Sequence, residues 1–141
     1  MDEHDLIQHG AYFITVYAVN HYKLFVSAER EDCDGFVHPR LTNIGKIIDY
    51  EIQILPRVIE GISVDNYVIM PNHVHMILRS VNNDRQNGEE AARQAIGRLK
   101  RVVSLKAGFS AWQKSFQRYA IQDEKEYWII SNYIDVDPAR G

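Results

Sequence analysis

The sequence predicts an α+β fold: a ferredoxin-like split βαβ antiparallel sheet, with helices on one face and an extra C-terminal helix. Three observations predict it. Runs rich in β-branched and aromatic residues alternate with stretches of helical period, in the order strand, helix, strand, strand, helix, strand, helix. The middle two strands are separated only by Pro71-Asn72, a link so short that they must pair as an antiparallel hairpin. The 141 residues are enough for one core and show no repeat or second periodic block, so residues 1–141 read as a single domain.

Ala11 to Val19 (AYFITVYAV) is a strand expected at the centre of the sheet, buried on both faces. His21 to Leu41, with scattered charges, Gly35 and Pro39, reads as a long loop with a short strand at Lys23 to Val26. Thr42 can cap a first helix whose apolar residues Ile44, Ile48, Ile52, Leu55 and Ile59 recur at near-helical spacing, with Pro56 bending or ending it. Gly61 breaks that helix, after which Ile62 to Met70 and His73 to Arg79 form the hairpin strands. Val81 to Gly88 (VNNDRQNG) is polar and aperiodic and reads as a surface loop. A helix follows from Glu89 to Ala107, with Ala92, Ile96, Leu99 and Val103 on one stripe and Gly108 as its stop. Phe109 to Ile121 reads as the fourth strand, anchored by Trp112, Phe116 and Tyr119. Asp123 can cap a last helix, with Glu126 placed as in a capping box and Pro138 ending it.

Composition bounds the function. With 45% hydrophobic and 25% charged residues and no apolar run long enough to span a bilayer, the chain reads as an ordinary globular protein with no membrane role. Its N-terminus, MDEHDLIQHG, is acidic and lacks the apolar block of a signal peptide, so a cytoplasmic location is expected. The lone Cys33 excludes an internal disulfide and has no base beside it that would make it a nucleophile. The net charge of −3 argues against nucleic acid until it is mapped: Ala91 to Gln122 holds seven basic residues and no Asp or Glu. Arg93, Arg98, Lys100 and Arg101 on the second helix are the candidate DNA-binding residues, although a solvated helix face would have the same composition.

The chemistry centres on Tyr67 to Leu78, YVIMPNHVHMIL. Residues two apart on a strand share a face, so His73 and His75 present their imidazoles together, as half of a metal site. On the final helix Tyr133 and Asp137, four residues apart, also share a face, which suits a nucleophile beside a third ligand. A phenol is a poor nucleophile at neutral pH, but a cation on the scissile phosphate can offset this by neutralising developing charge. Two imidazoles and a carboxylate suit Mg²⁺ or Mn²⁺ with open positions, whereas structural zinc wants a fourth protein ligand. Taken alone, two such histidines are more often ordinary strand residues and such a tyrosine a packing residue on an amphipathic helix. His4, His9, His21 and His38 share no spacing with another candidate ligand, and no chemical role is expected of them.

The combination of MPNHVH, the Trp112-Gln113 element with Ser115-Phe116, the Asp123-Glu124 helix start and Asn132-Tyr133-Ile134 followed by Pro138 resembles the REP-associated tyrosine transposases of the single-tyrosine HUH superfamily. The resemblance covers nearly the whole chain. It implies a ferredoxin-like fold, a homodimer, and action on single-stranded DNA with hairpins through a 5′-phosphotyrosine that frees a 3′-OH. By this resemblance Tyr133 is the nucleophile and His73 and His75 are metal ligands. Two departures stand out: Asp137 replaces the Asn or Gln usual four residues after the tyrosine, and Gln117-Arg118-Tyr119 stands where relatives often have Tyr-x-His. Tyr119 is the alternative nucleophile this raises, but it lacks a ligand at helical spacing. The function expected is that of a metal-dependent transposase or nickase, or its domesticated relative. The alternative is a non-catalytic DNA-binding module on the same fold. An RNA-binding domain is disfavoured because neither central strand carries the aromatic-glycine signature of that class.

Overall fold

The hydrophobic runs close into a four-stranded sheet with helices on both sides. In this computed structural model residues 7, 10–27, 40–81 and 85–135 are described, with backbone alone for 85–87. The elements are β1 (Ala11–Tyr17), β2 (Val26–Ser27), β3 (Arg40–Leu41), α1 (Asn43–Val58), β4 (Ile62–Ile69), β5 (His73–Ser80), α2 (Arg85–Ala107), β6 (Gln117–Ala120) and α3 (Glu124–Asp135). The sheet order is β4-β5-β1-β6 and every pairing is antiparallel, as a split βαβ arrangement requires. A second, two-stranded sheet pairs β2 with β3.

Alternation along the strands sorts the two faces. Ile14, Val16, Val74, Met76 and Leu78 pack against Ile48, Ile52 and Leu55 of α1 and Ala92, Ile96, Leu99 and Val103 of α2, forming the main core. Ala11, Phe13, Val68 and Ile77 on the opposite face pack against Tyr127, Ile130 and Ile134 of α3. The extra helix thus covers the face that the two crossover helices leave open, and that face carries the histidine pair.

Thr42 caps α1 as expected, its hydroxyl accepting the Gly45 N–H at 3.0 Å and donating to the Leu24 carbonyl at 2.6 Å. The same turn explains Gly45, where a Cβ would collide with the Phe25 carbonyl oxygen. Pro56 sits inside the last turn of α1, which ends at Val58. At α3, Asp123 Oδ1 accepts the Glu126 N–H at 2.8 Å, while Glu126 Oε1 reaches back to the Gln122 N–H at 2.8 Å, one residue earlier than a capping box would take it.

Several expectations need correction. The fourth strand is not Phe109 to Ile121 but only the four exposed residues of β6; Trp112 meets the sheet through a single bridge to Ala18. Aromatic anchors in that segment signalled packing, not strand. The supposed loop 81–88 is helical from Arg85, so α2 begins four residues before Glu89. The short strand expected at Lys23 to Val26 is Val26–Ser27, and its partner is the unforeseen Arg40–Leu41. β1 ends at Tyr17, two residues before Val19. Cys33, His4, His9, His38, Asp137 and Pro138 lie outside the described residues.

One irregularity positions α3. Val64 pairs with Leu78 and Asn66 with Ile77, so Asp65 is an extra residue, a β-bulge in β4. Asp65 accepts hydrogen bonds from Tyr127 Oη at 2.6 Å, Arg79 Nε at 2.7 Å and Ser63 Oγ at 2.6 Å. Asn66 Nδ2 donates to the Ser131 carbonyl at 3.2 Å, Ser131 Oγ at 3.1 Å and Asp135 Oδ1 at 3.0 Å. Adjacent bulge residues therefore hold both ends of the helix that bears Tyr133.

Candidate active site

β5 places His73 and His75 on the α3 face because they are two apart on a regular strand. Their ring centroids are 4.6 Å apart. His75 is 8% exposed and lies 5.8 Å, centroid to centroid, from the Tyr133 ring, which also stands edge-on to Phe13 at 6.5 Å. Both histidines and the tyrosine of one chain thus converge, with Tyr133 itself 55% exposed at the mouth of the site.

Each imidazole is oriented by a second residue. His75 Nδ1 lies 3.0 Å from Thr15 Oγ1, its direct cross-strand partner on β1. His73 Nδ1 lies 2.7 Å from Asn72 Oδ1, while Asn72 Nδ2 donates to the His21 carbonyl at 3.5 Å. That second contact turns the amide oxygen toward His73, an arrangement that suits the tautomer with the proton on Nδ1 and the lone pair on Nε2. Holding one imidazole nitrogen so that the other can ligate is the usual outer shell of a metal-bound histidine. The two imidazoles could therefore form part of a donor set for a divalent cation. Among the described residues no group of three His, Cys, Asp or Glu side chains could hold a metal ion. Asp137 is the sequence candidate for a third ligand; the described part of α3 ends at Asp135.

Two residues to which the sequence assigned no role extend the site. Tyr17 pairs across the sheet with His73, their rings 5.3 Å apart, and the His21 ring stacks on Tyr17 at 4.7 Å and 8°. Spacing could not find them, because His21 reaches this place through a turn in which both Asn20 (φ 51°) and His21 (φ 56°) are left-handed.

Tyr119 has a different setting from Tyr133. It donates to Glu126 Oε2 at 2.7 Å, and that bond raises the pKa of its phenol.

The basic helix divides in two. Arg98 turns inward and meets Glu51 of α1 at 3.1 Å, with Lys106 at 2.6 Å on the other carboxylate oxygen. Glu51 is 1% exposed; burial pushes its pKa up, but the bonds from Lys106 and Arg98 outweigh this and leave it lowered. Arg93 pairs with Glu89 at 3.9 Å, and Arg118 pairs with the same carboxylate. Lys100 donates to the Lys114 carbonyl at 2.9 Å, and burial lowers its pKa. Lys100, Arg101, Lys114, Phe109 and Trp112 line a groove between α2 and the segment after it. The Trp112 indole N–H there is buried with no hydrogen-bond partner among the described residues. Arg98 is thus engaged by the buried Glu51 and partly covered, whereas Lys100 and Arg101 border an open basic groove.

No family model matches the chain. An uncharacterised protein of Haemophilus influenzae is 26% identical over 152 residues, covering 92% of this chain and 80% of that protein. A solved structure of a REP-associated tyrosine transposase bound to a REP hairpin superposes with a TM-score of 0.57 and 20% identity, over 94% of this chain and 68% of that one. A candidate transposase from Deinococcus radiodurans R1 superposes at 0.47 with 14% identity, over 89% and 88% of the two chains. With its split βαβ sheet and additional C-terminal helix, the chain has the fold of a REP-associated tyrosine transposase.

Proposed function

We propose that the protein cleaves and rejoins single-stranded DNA near hairpins, with Tyr133 as nucleophile and a divalent cation, Mg²⁺ or Mn²⁺, held by His73 and His75. The carrying observation is the convergence of the two imidazoles, 4.6 Å apart, with the Tyr133 ring 5.8 Å from His75. A packing tyrosine would be buried; this one is 55% exposed beside a buried histidine. The hairpin bound by the structurally similar transposase supports the substrate class.

In the cleavage step Tyr133 Oη forms a bond to phosphorus and loses its proton, the P–O3′ bond breaks, and O3′ leaves as a hydroxyl once it takes up a proton. Rejoining is the reverse, with a 3′-OH attacking the phosphotyrosine. When bound, the cation would polarise the phosphate and neutralise charge in the transition state. The chain's own part is orientation: Thr15 and Asn72 hold the imidazoles, and the bulge of β4 holds α3 so that Tyr133 faces them. Asp137 is proposed as third ligand, and Lys100 and Arg101 as phosphate contacts. A homodimer is proposed on the family resemblance, though both halves of the site lie in one chain.

The test is adduct formation with a hairpin-bearing single strand and Mg²⁺ or Mn²⁺, read as a denaturant-resistant shift. Tyr133→Phe should bind DNA and form no adduct, His73→Ala should lose metal-dependent cleavage by a factor of about 100 or more, and Asp137→Asn should keep cleavage with an altered metal preference. An adduct that survives in Tyr133→Phe but not in Tyr119→Phe would move the nucleophile to Tyr119. Binding that is unaffected by metal, with no adduct under any condition, would favour the non-catalytic module.

A further inference from the structure

Beside the histidine pair lies a stacked aromatic pair that the cleavage chemistry does not use. We propose that Tyr17 and His21 form a platform on which a nucleobase of the bound single strand stacks, next to the scissile phosphate. This rests on the functional reading above and adds a base-binding subsite to it.

Position is the first argument. Tyr17 is the cross-strand partner of His73, and the rings run in sequence His21, Tyr17, His73, His75, with neighbouring centroids 4.7, 5.3 and 4.6 Å apart. A strand whose phosphate lies at the two histidines would put an adjoining base within reach of the next rings in that row. Geometry is the second. His21 lies flat on Tyr17, tilted by only 8°, which covers one side of its imidazole, while the residue as a whole stays exposed to solvent. Aromatic and imidazole faces stack unpaired bases without strong sequence preference.

Backbone strain is the third. Among the described residues, Asn20 and His21 are the only non-glycine residues at positive φ. Asparagine tolerates that region; histidine does so less readily. The His21 carbonyl accepts from Asn72, which orients His73, but glycine would supply the same carbonyl at this φ with less strain. What glycine cannot supply is the ring. Strain kept at a side chain that packs flat and exposed beside a reactive centre points to use of that side chain.

The experiment is a cycle between protein ring and DNA base. Wild-type protein in EDTA is titrated with single-stranded oligonucleotides carrying one abasic site, moved stepwise through the strand on either side of the cleavage point. One or two neighbouring positions should lose about 5- to 100-fold in affinity when the base is removed, the range of base–aromatic stacking. His21→Gly, which keeps the carbonyl and relieves φ, should abolish the loss at those positions and leave the rest of the profile unchanged. His21→Phe should restore it. If His21→Gly keeps the whole abasic profile, or weakens every position equally, the platform is wrong. Normal adduct formation with a flat wild-type abasic profile would sink the platform alone. A wild-type protein that binds no single strand would sink the functional reading as well.

Discussion

Asp65→Ala should loosen α3 without disturbing the sheet. The carboxylate is 11% exposed and takes bonds from Tyr127 Oη (2.6 Å), Arg79 Nε (2.7 Å) and Ser63 Oγ (2.6 Å). Removing it leaves the hydroxyl of Tyr127, 5% exposed, without its acceptor, a loss of about 1–3 kcal/mol. Arg79, 24% exposed, can regain water, so its pairing adds only about 1 kcal/mol. The sum is about 2–4 kcal/mol. Tyr127→Phe removes the donor while Asp65 keeps its other two partners, and should lose about 1 kcal/mol. In the double variant the two losses should fall short of additivity by roughly that 1 kcal/mol. Urea unfolding gives the totals, and amide exchange gives the location: protection should fall along 124–135 and persist in β1 and β5. The Tyr127 phenol also sets a pH signature. Burial, then the bond to Asp65, raise its pKa, so its contribution is complete below the unfolded value of 10.0 and is lost as pH rises above it. Wild-type stability should therefore fall more steeply than that of Tyr127→Phe above that pH. Loss spread evenly over sheet and helix, or Asp65→Ala milder than Tyr127→Phe, would refute the bulge as the mooring of α3.

Three further outcomes are expected. Charge reversal at Lys100 or Arg101 should flatten the slope of log K against log salt for single-stranded DNA by about 0.7 per phosphate contact, whereas Arg98→Glu should act on stability with little change in slope. Glu51→Gln should destabilise by about 3 kcal/mol at neutral pH, less than for a fully enclosed pair because Lys106 is 47% exposed. Because the Glu51 pKa is lowered, wild-type stability should fall as pH drops through its ordinary value of 4.5, and the variant should lack that part of the acid limb. Light scattering at tens of micromolar should report a homodimer, and a monomer with and without DNA would count against it.

Legibility in the sequence followed the range of the interactions concerned. The Pro71-Asn72 hairpin, the Thr42 cap and the shared face of His73 and His75 depend on neighbours a few residues apart, and the alternation and cap residues declare them. Arg98 read as surface because its acceptor, Glu51, lies 47 residues away on another helix, and a single buried acid in an otherwise apolar stripe gives no local sign of its partner. Segment 109–121 misled because Trp112 and Phe116 pack against the core from irregular backbone, which mimics strand composition without its ladder. Tyr17 and His21 escaped because the left-handed turn that folds one onto the other has no glycine to announce it. The juxtaposition of Tyr133 with the histidines required the docking of α3, which hangs on Asp65 and Asn66, two polar residues that read simply as the less apolar part of a strand.

The extra residue in β4 inverts the parity of its strand. Ile62 and Val64 belong with the α1 and α2 side, and so do Tyr67 and Ile69, although an unbroken alternation from Ile62 would turn Tyr67 and Ile69 to the other side. Deleting one residue from a half-buried strand ordinarily turns every later side chain inside out. Here, deleting Asp65 would bring ISVNYVI into plain two-residue alternation, with Ile62, Val64, Tyr67 and Ile69 all still facing inward. The sheet would survive a frameshift of pleat that would ruin most strands, and the structure lost would be the seat of the tyrosine helix. β4 thus carries an insertion that its own pleat does not need and that serves the helix it anchors.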